Sequence, residues 1–184
     1  DQHYVTVIGA GDKPDDYGKI ESHLLRSSIN GIDFILLPAA NKTFAGGCPE
    51  MAINNYNARV IYPKNGDYTE KLDYISTDNF KTFKRQIGFT YGNTEIKTLA
   101  NIGTVINIEN LSVVIYLGGD INKLTKLCKN KNPIFITSDI PAEQLPKGLS
   151  NRIFKNENND LCFKIRDNSS YEISKSANNI IINF

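Results

Sequence analysis

The stretch "GIDFILLPAA", residues 31–40, carries the clearest signal of the fold in this chain. Its apolar side chains run from Phe34 to Leu37 with no polar residue between them. A strand with one face in water alternates apolar and polar residues, whereas an unbroken apolar run is typical of a strand buried on both faces. Parallel sheets covered by helices bury their strands in this way. We therefore predict a buried parallel strand at residues 32–37.

Four further stretches have the same β-branched, apolar character, at residues 5–8, 59–62, 111–117 and 133–137. Alternation of strands and helices favours parallel strands joined by helical crossovers. The predicted fold class is α/β, a Rossmann-like open parallel sheet of about five strands flanked by helices. The helices are predicted from apolar residues at helical spacing, at residues 15–28, 49–54, 69–74, 95–107 and 121–129.

The character of the chain changes after residue 149. Residues 152–155 and 161–165 flank a stretch rich in Asn and Asp, a pattern typical of a β-hairpin. Two more short strands are predicted near residues 171–173 and 180–184. The domain organisation that follows is an α/β domain at residues 1–149 and a small C-terminal antiparallel β appendage at residues 150–184.

The composition is that of a soluble globular protein. The net charge is +1 and charged residues make up 22% of the chain, which makes nucleic acid an unlikely partner and gives no sign of membrane binding. The three cysteines, Cys48, Cys128 and Cys162, form no CxxC pair and are odd in number, which favours a reducing compartment. No apolar run has membrane length and no leader pattern is visible. We expect a cytoplasmic protein, in the host cytoplasm if it is viral.

Loops of small residues follow several predicted strands. In an open parallel sheet, ligands bind beyond the carboxyl ends of the strands, where the strand order reverses. Small residues let backbone N–H groups approach an anion, and a following helix adds partial positive charge. The alternative is that each loop is a turn that needs small residues. The candidate ligand-binding residues are Gly9, Ala10, Gly11, Asp12, Lys13, Ala39, Ala40, Gly46, Gly47, Lys64, Gly118 and Gly119.

Two carboxylates stand out as catalytic candidates, Glu50 and Asp120, with Asp12 a third. Glu50 lies in the first turn of a helix that begins at Pro49, just after two glycines. There it could hydrogen-bond a ribose or act as an acid or base, or it could simply complement the helix dipole. Asp120 directly follows the fourth predicted strand.

Metal and thiol chemistry have little support in the sequence. The chain has two histidines, His3 and His23, and its carboxylates show no paired-ligand spacing, so neither a metal site nor a bound cofactor is predicted. Cys48 lies at a helix start, where a thiol pKa can be lowered, but a nucleophilic cysteine usually needs a histidine partner.

The layout of the strands and their loops also resembles a known family. The segments "VTVIGAGDKP", "GIDFILLPAA", "ARVIYPKNG" and "VVIYLGGD" together resemble the SLOG superfamily, the Rossmann-like domains of the DprA and LOG groups, and in particular its phage-type members. The resemblance covers residues 4–140. It implies a nucleotide or nucleotide-derived ligand, such as a nucleoside phosphate, NAD or ADP-ribose, and pairing into a homodimer.

The chain departs from that family's pattern at three places. Ala10-Gly11-Asp12 stands where the family has Ser-Arg, and Pro38-Ala39-Ala40 stands where it has a Gly-Gly-Ala loop. The segment "GGDINKLTK" lacks the Gly-Thr and the glutamate of the LOG signature. These departures argue against LOG-type hydrolysis.

Three functions follow from the sequence. The first is binding of a nucleotide-type small molecule at the carboxyl ends of the strands. The second is an N-glycosidic hydrolase or transferase, which requires Glu50 or Asp120 beside a pocket formed by the glycine loops. The third is a structural or interaction protein, such as a phage component, whose degenerate crevice is filled by side chains such as Leu37, Pro38 or Phe44.

Overall fold

The computed structural model describes residues 5–26, 28–130, 133–137, 153–155, 161–167, 170–175 and 178–183. The chain divides into two compact units. The N-terminal unit comprises residues 1–87 with 99–101, and the C-terminal unit comprises residues 88–98 with 102–184.

The N-terminal unit holds a four-stranded parallel sheet with the strand order β1-β2-β3-β4. Helices connect successive strands. The elements are β1 (Thr6–Ile8), α1 (Asp16–Arg26), β2 (Phe34–Leu36), α2 (Lys42–Ala45), α3 (Cys48–Asn54), β3 (Arg59–Pro63), α4 (Thr69–Tyr74) and β4 (Phe80–Phe83).

One apolar cluster joins the helices to this sheet. Tyr17 of α1, Met51 of α3 and Leu72 of α4 pack together with Ile35 of β2 and Val60 of β3. Because successive side chains of a strand point to opposite faces, a shared cluster with Ile35 and Val60 places the three helices on one face of the sheet.

The side chains of Phe34, Leu36 and Ile61 alternate with members of that cluster and therefore point to the opposite face. They are buried as well. The prediction of a strand buried on both faces is confirmed for residues 34–36.

The C-terminal part of the chain forms β-sheets. A six-stranded sheet has the order β10-β9-β8-β7-β6-β5, in which β7 and β8 are antiparallel whereas β8, β9 and β10 are parallel. A separate three-stranded antiparallel sheet has the order β11-β12-β13. The elements are β5 (Gln86–Tyr91), β6 (Thr94–Leu99), β7 (Gly103–Ile108), β8 (Leu111–Tyr116), α5 (Ile121–Thr125), β9 (Ile134–Thr137), β10 (Ile153–Lys155), β11 (Leu161–Asp167), β12 (Ser170–Lys175) and β13 (Asn178–Asn183).

A buried polar residue, Asn107 of β7, ties this sheet to the chain beyond α5. Its side-chain amide donates to the Leu127 carbonyl at 3.0 Å and to Glu95 at 3.2 Å. Its side-chain oxygen accepts from the Ser112 hydroxyl at 2.7 Å and from the Lys129 backbone N–H at 3.0 Å. Asn107 is fully buried, and each of its polar atoms has partners, as burial requires.

The predicted fold class is wrong. Four strands, not five, form the parallel sheet, and their order follows the sequence without the reversal of a Rossmann-like sheet. The strands predicted at residues 111–117 and 133–137 do form, but in the mixed six-stranded sheet. The error has a physical cause, since an unbroken apolar run reports burial on both faces and not the direction of the neighbouring strand.

The helix predicted at residues 95–107 is also wrong, because this segment forms β6 and β7. Asn101, with a φ of +61°, lies in the turn between them. A positive φ is incompatible with a continuous right-handed helix, and the β-branched residues on either side favour strands. The helix predicted at residues 69–74 is confirmed as α4.

The prediction that residues 152–155 and 161–165 pair as a β-hairpin is wrong. β10 pairs in parallel with β9, and β11 pairs with β12, Leu161 opposite Lys175. The predicted domain boundary at residues 149 and 150 lies outside the described residues and stays a prediction. In the part of the chain that the structure describes, no helix combines the length and the apolar character needed to cross a bilayer.

Candidate functional site

The loop after β1 contains five of the predicted binding residues, and the backbone N–H groups of two of them, Asp12 and Lys13, are engaged by one side chain. One carboxylate oxygen of Asp16 accepts from the backbone N–H of Asp12 at 3.0 Å and from that of Lys13 at 3.2 Å. The other carboxylate oxygen accepts from the Lys19 ammonium at 2.8 Å. A carboxylate of the chain itself thus occupies two of the backbone donors that the sequence suggested for a phosphate.

The same contacts hold Asp16 ionised. The hydrogen bond from Lys19, together with the two backbone N–H groups, lowers the pKa of Asp16 to about 2. Asp16, the first residue of α1, is not among the predicted site residues. The sequence signal for such a contact is an acidic residue at the start of a helix. It stands four residues after one backbone donor, Asp12, and three residues after the other, Lys13.

Gly46 and Gly47, predicted as an anion seat, pack against the loop after β1. The position of a β-carbon at Gly46 is taken by the carbonyl oxygen of Asp12, and at Gly47 by that of Ala10. The Ala10 N–H donates in turn to the Phe44 carbonyl at 2.8 Å. Two of the predicted loops therefore do come together. They meet through carbonyl oxygens, which repel an anion, and the close approach leaves no space between them.

The loop after β2 is also packed against other parts of the chain and leaves no space for a ligand. Leu37, Ala39 and Ala40 are buried. The Ala40 carbonyl accepts from the Tyr68 N–H at 2.9 Å, and the Pro38 carbonyl accepts from the Asn101 N–H at 2.9 Å. Leu37 and Pro38, two of the residues named for a filled crevice, are thus buried.

Asp120 and the glycines before it belong to the C-terminal unit and follow a strand of a different sheet. Asp120 is the N-cap of α5, where its carboxylate accepts from the Asn122 N–H at 3.1 Å. Gly119 offers its carbonyl to the Tyr116 hydroxyl at 2.8 Å. Gly118, Gly119 and Asp120 therefore do not share a sheet edge with Gly9–Lys13.

Glu50 and Lys64 lie on the surface of the N-terminal unit. The backbone N–H of Lys64 donates to the Phe83 carbonyl at 2.8 Å, and its side chain is exposed at the end of β3. Glu50, in the first turn of α3, lines a groove of about 530 Å³. We call this the α1–α3 groove. Its lining comprises Pro14, Asp15, Tyr17, Gly18, Glu21, Glu50 and Asn54.

Tyr17 is the most buried side chain of the α1–α3 groove. Its hydroxyl donates to Glu21 at 3.0 Å and accepts from the Asn55 amide at 3.3 Å. Burial raises the pKa of Tyr17, and the negative charges of Glu21 and Glu50 add to the effect. The groove therefore has an aromatic base surrounded by carboxylates.

Cys48 is not an activated thiol. It is fully buried in the apolar cluster under α3, and burial raises its pKa to about 12. The effect of burial is opposite to the lowered pKa that its place at a helix start suggested. A protonated, enclosed thiol is neither a nucleophile nor a ready metal ligand.

Comparison with known proteins identifies the fold. No family model matches the chain, and no curated protein matches it. Among solved structures, MEM-A1, a subclass B3 metallo-beta-lactamase isolated from a soil metagenome library, aligns with 72% of this chain and 68% of its own, at 14% identity and a TM-score of 0.51.

Two further solved structures that align with this chain are also metallo-beta-lactamases. The metallo-beta-lactamase from Cronobacter sakazakii, a HARLDQ motif mutant, shows 12% identity over 60% of this chain and a TM-score of 0.49. The Rm3 metallo-beta-lactamase shows 15% identity over 60% of this chain and a TM-score of 0.48. The chain spans about half the length of these two proteins, 52% and 51%.

The similarity to MEM-A1 shows a metallo-beta-lactamase-like fold. The predicted membership of the SLOG superfamily is therefore wrong, and so is the Rossmann-like, phage-type nucleotide-binding description that came with it. At this level of identity the similarity concerns the fold and does not extend to the chemistry.

The residues that the structure describes do not fit the metal that such a fold name implies. A catalytic zinc takes three protein ligands drawn from His, Cys, Asp and Glu, most of them histidines. The whole chain has two histidines. Across the described ranges, no three side chains of these types converge closely enough to hold a metal ion. The three carboxylates that line the α1–α3 groove are no exception.

Proposed function

We propose that this chain uses a metallo-beta-lactamase-like fold as a non-catalytic scaffold for binding another macromolecule. This is the third function that the sequence analysis left open. The observation that carries it is the missing donor set, since the described part of the chain brings together no three groups able to hold a metal ion.

The individual donors support the same conclusion. Metal binding requires a deprotonated thiol, and the buried Cys48 has a pKa raised to about 12. The Asp16 carboxylate already accepts hydrogen bonds from two backbone N–H groups and from Lys19. His23 lies exposed on α1, and no group of metal ligands forms around it among the described residues.

The two other functions have less support. Nucleotide binding relied on a reversal of strand order that the sheet lacks, and on backbone donors that Asp16 engages. The N-glycosidic enzyme relied on a pocket between glycine loops, but Glu50 lines a different groove and Asp120 caps a helix.

Metal content and hydrolysis test the proposal together. We would purify the full chain from medium supplemented with zinc, measure zinc per chain by mass spectrometry, and assay hydrolysis of a chromogenic cephalosporin. The expected result is much less than one zinc per chain and hydrolysis equal to the buffer blank. About one zinc per chain, with hydrolysis abolished by a chelator, would overturn the proposal.

A thermal-shift panel tests the nucleotide alternative. A ligand present at about one hundred times its dissociation constant stabilises a protein by roughly 2.7 kcal/mol. We expect no shift with NAD, ADP-ribose or AMP. A shift that Glu50→Gln abolishes and Glu70→Gln leaves intact would instead favour a nucleotide site at the α1–α3 groove.

A further inference from the structure

The exposed apolar side chains of the described residues are unevenly placed. Four large apolar residues are strongly exposed, and three of them belong to α1 or α3 or lie two residues beyond α3. Leu25 lies on α1 with 60% of its surface exposed, and Ile53 lies on α3 with 69% exposed. Tyr56, two residues after α3, is 77% exposed, and Tyr74 of α4 is 91% exposed. The outer side of the α1–α3 pair thus presents apolar surface to water.

This apolar surface continues the α1–α3 groove. Leu25 follows Glu21 by four residues on α1, so both side chains lie on the same side of that helix. Ile53 follows Glu50 by three residues on α3 and is a neighbour of the groove residue Asn54. The groove therefore has carboxylates toward the N-terminal ends of the two helices and apolar side chains toward their C-terminal ends.

The charge of the groove is of one sign. Among the described residues, its lining contains Asp15, Glu21 and Glu50 and no cationic side chain. On the neighbouring turn of α1, the Lys19 ammonium is bound to Asp16 at 2.8 Å. No ion pair with Asp15, Glu21 or Glu50 forms among the residues that the structure describes. The three carboxylates are therefore available to a cation from outside the chain.

We propose that the α1–α3 groove, extended by Leu25 and Ile53, docks a segment of a partner protein that combines lysine or arginine with apolar side chains. This inference rests on the proposed scaffold function and names its partner surface. A cationic side chain would lie between Glu21 and Glu50 over the Tyr17 ring, and the apolar side chains would cover Leu25 and Ile53. A volume of about 530 Å³ is within the usual size of a binding pocket, roughly 300–1,000 Å³.

The two halves of the groove have different roles in this proposal. Burial of apolar surface supplies most of the affinity at such interfaces, whereas charge complementarity supplies specificity and a faster association. A small cation such as a polyamine would use only the acidic half and leave Leu25 and Ile53 in water. A protein segment accounts for both halves.

Peptide binding to the full chain tests the proposal. The probes are three fluorescein-labelled peptides of about twelve residues: one of lysine and leucine, one of lysine and serine, and one of glutamate and leucine. Binding is followed by fluorescence anisotropy at low and high salt. We expect the lysine–leucine peptide to bind at least tenfold more tightly than either other peptide, and more weakly at high salt.

Matched variants locate the binding site. The double variant Glu21→Gln with Glu50→Gln removes charge while a glutamine oxygen can still accept from Tyr17, and Leu25→Ser removes apolar surface. We expect each to weaken binding of the lysine–leucine peptide at least fivefold. The controls, Glu70→Gln with Asp78→Asn and Tyr74→Ser, change similarly exposed residues on and beyond α4 and should alter binding less than twofold. Circular dichroism confirms that each variant is folded.

Three results would overturn the proposal. Equal binding of the lysine–serine peptide would show a site for cations alone. Binding unchanged in both groove variants would place the peptide elsewhere. Self-association in light scattering, lost in the Glu21 and Glu50 double variant, would make the occupant a second copy of this chain. None of these results bears on zinc content, so failure of the docking proposal is distinguishable from failure of the scaffold proposal.

Discussion

The carboxylate of Asp16 accepts a hydrogen bond from the backbone N–H of Asp12 at 3.0 Å, across the first turn that follows β1. With the second bond from Lys13, this contact closes the loop on itself. In a phosphate-binding protein, the backbone N–H groups of such a loop are available to the phosphate. Here the Asp16 carboxylate of the chain itself accepts from two of them.

Replacement of Asp16 by asparagine should destabilise the N-terminal unit in a pH-dependent way. The pKa of Asp16 is about 2 in the folded chain against an ordinary value of 3.8. Because the folded-state pKa is the lower one, the ionised carboxylate stabilises the fold above pH 3.8, and this contribution is lost as the pH falls through 2. Urea unfolding at neutral pH should show a loss of about 1–2 kcal/mol in Asp16→Asn.

The difference between wild type and Asp16→Asn should shrink as the pH is lowered from about 4 toward about 2. Asp15→Asn, a change in the adjacent exposed carboxylate, serves as the control and should stay within ~0.5 kcal/mol of wild type. A pH-independent difference would contradict the account of Asp16.

Replacement of Gly46 or Gly47 by alanine should be strongly destabilising. A β-carbon at either position overlaps a backbone carbonyl oxygen, of Asp12 and of Ala10 respectively, and backbone cannot rotate away as a side chain can. We expect a loss of at least ~2 kcal/mol in the free energy of unfolding.

Gly18→Ala is the matched control for these glycine variants. Gly18 lies inside α1, and an added β-carbon there meets nothing within 4 Å. Because alanine favours the helix over glycine, this variant should be more stable than wild type by about 0.5–1 kcal/mol. Tolerance of alanine at both Gly46 and Gly47 would show that the two loops are not packed together.

Cys48 should resist alkylation in the folded protein. Burial raises its pKa to about 12, so at pH 8 almost none of the thiol is ionised, and the site is closed to reagents. Peptide mapping after iodoacetamide treatment should show modification of Cys48 only after denaturation. Rapid modification of the native protein would return Cys48 to the set of candidate nucleophiles.

Replacement of Asn107 by leucine should cost about 2–4 kcal/mol, because it leaves several buried polar groups without partners. The Ser112 hydroxyl loses its acceptor, and the Leu127 carbonyl loses its donor. Chemical denaturation measures the change. As a control, the exposed Asn122→Leu should have a small effect, because only the backbone of Asn122 makes a hydrogen bond to Asp120.

Local patterns predicted several elements well. The apolar run at residues 34–37 indicated a buried parallel strand, and β2 is one. The helix predicted at residues 49–54 lies within α3, and the one at residues 69–74 coincides with α4. Each of these elements is determined by the local spacing of its apolar residues and by the residues that end it. Both can be read directly from the sequence.

The division into sheets could not be predicted in this way. Residues 111–116 form a buried strand whether the neighbour is parallel or antiparallel, and here β7 is antiparallel and β9 parallel. That choice depends on contacts between segments distant in sequence, which apolar periodicity does not report.

The candidate site shows the same limit. Small residues at Gly9–Lys13 and Gly46–Gly47 predicted a close approach of backbone N–H groups to a bound anion, but they do not specify what approaches the backbone. In the structure it is the chain itself, through the carbonyl oxygens of Ala10 and Asp12 and the carboxylate of Asp16.

The sequential order of β1, β2, β3 and β4 has a consequence for biosynthesis. The pairs Thr6 with Phe34, Ile35 with Val60, and Val60 with Phe80 join residues 28, 25 and 20 positions apart. Each strand therefore finds its neighbour in the segment synthesised just before it, and no strand has to be inserted between two others. The parallel sheet can grow in one direction as the chain leaves the ribosome, with β1 as its fixed edge and the newest strand as its growing edge.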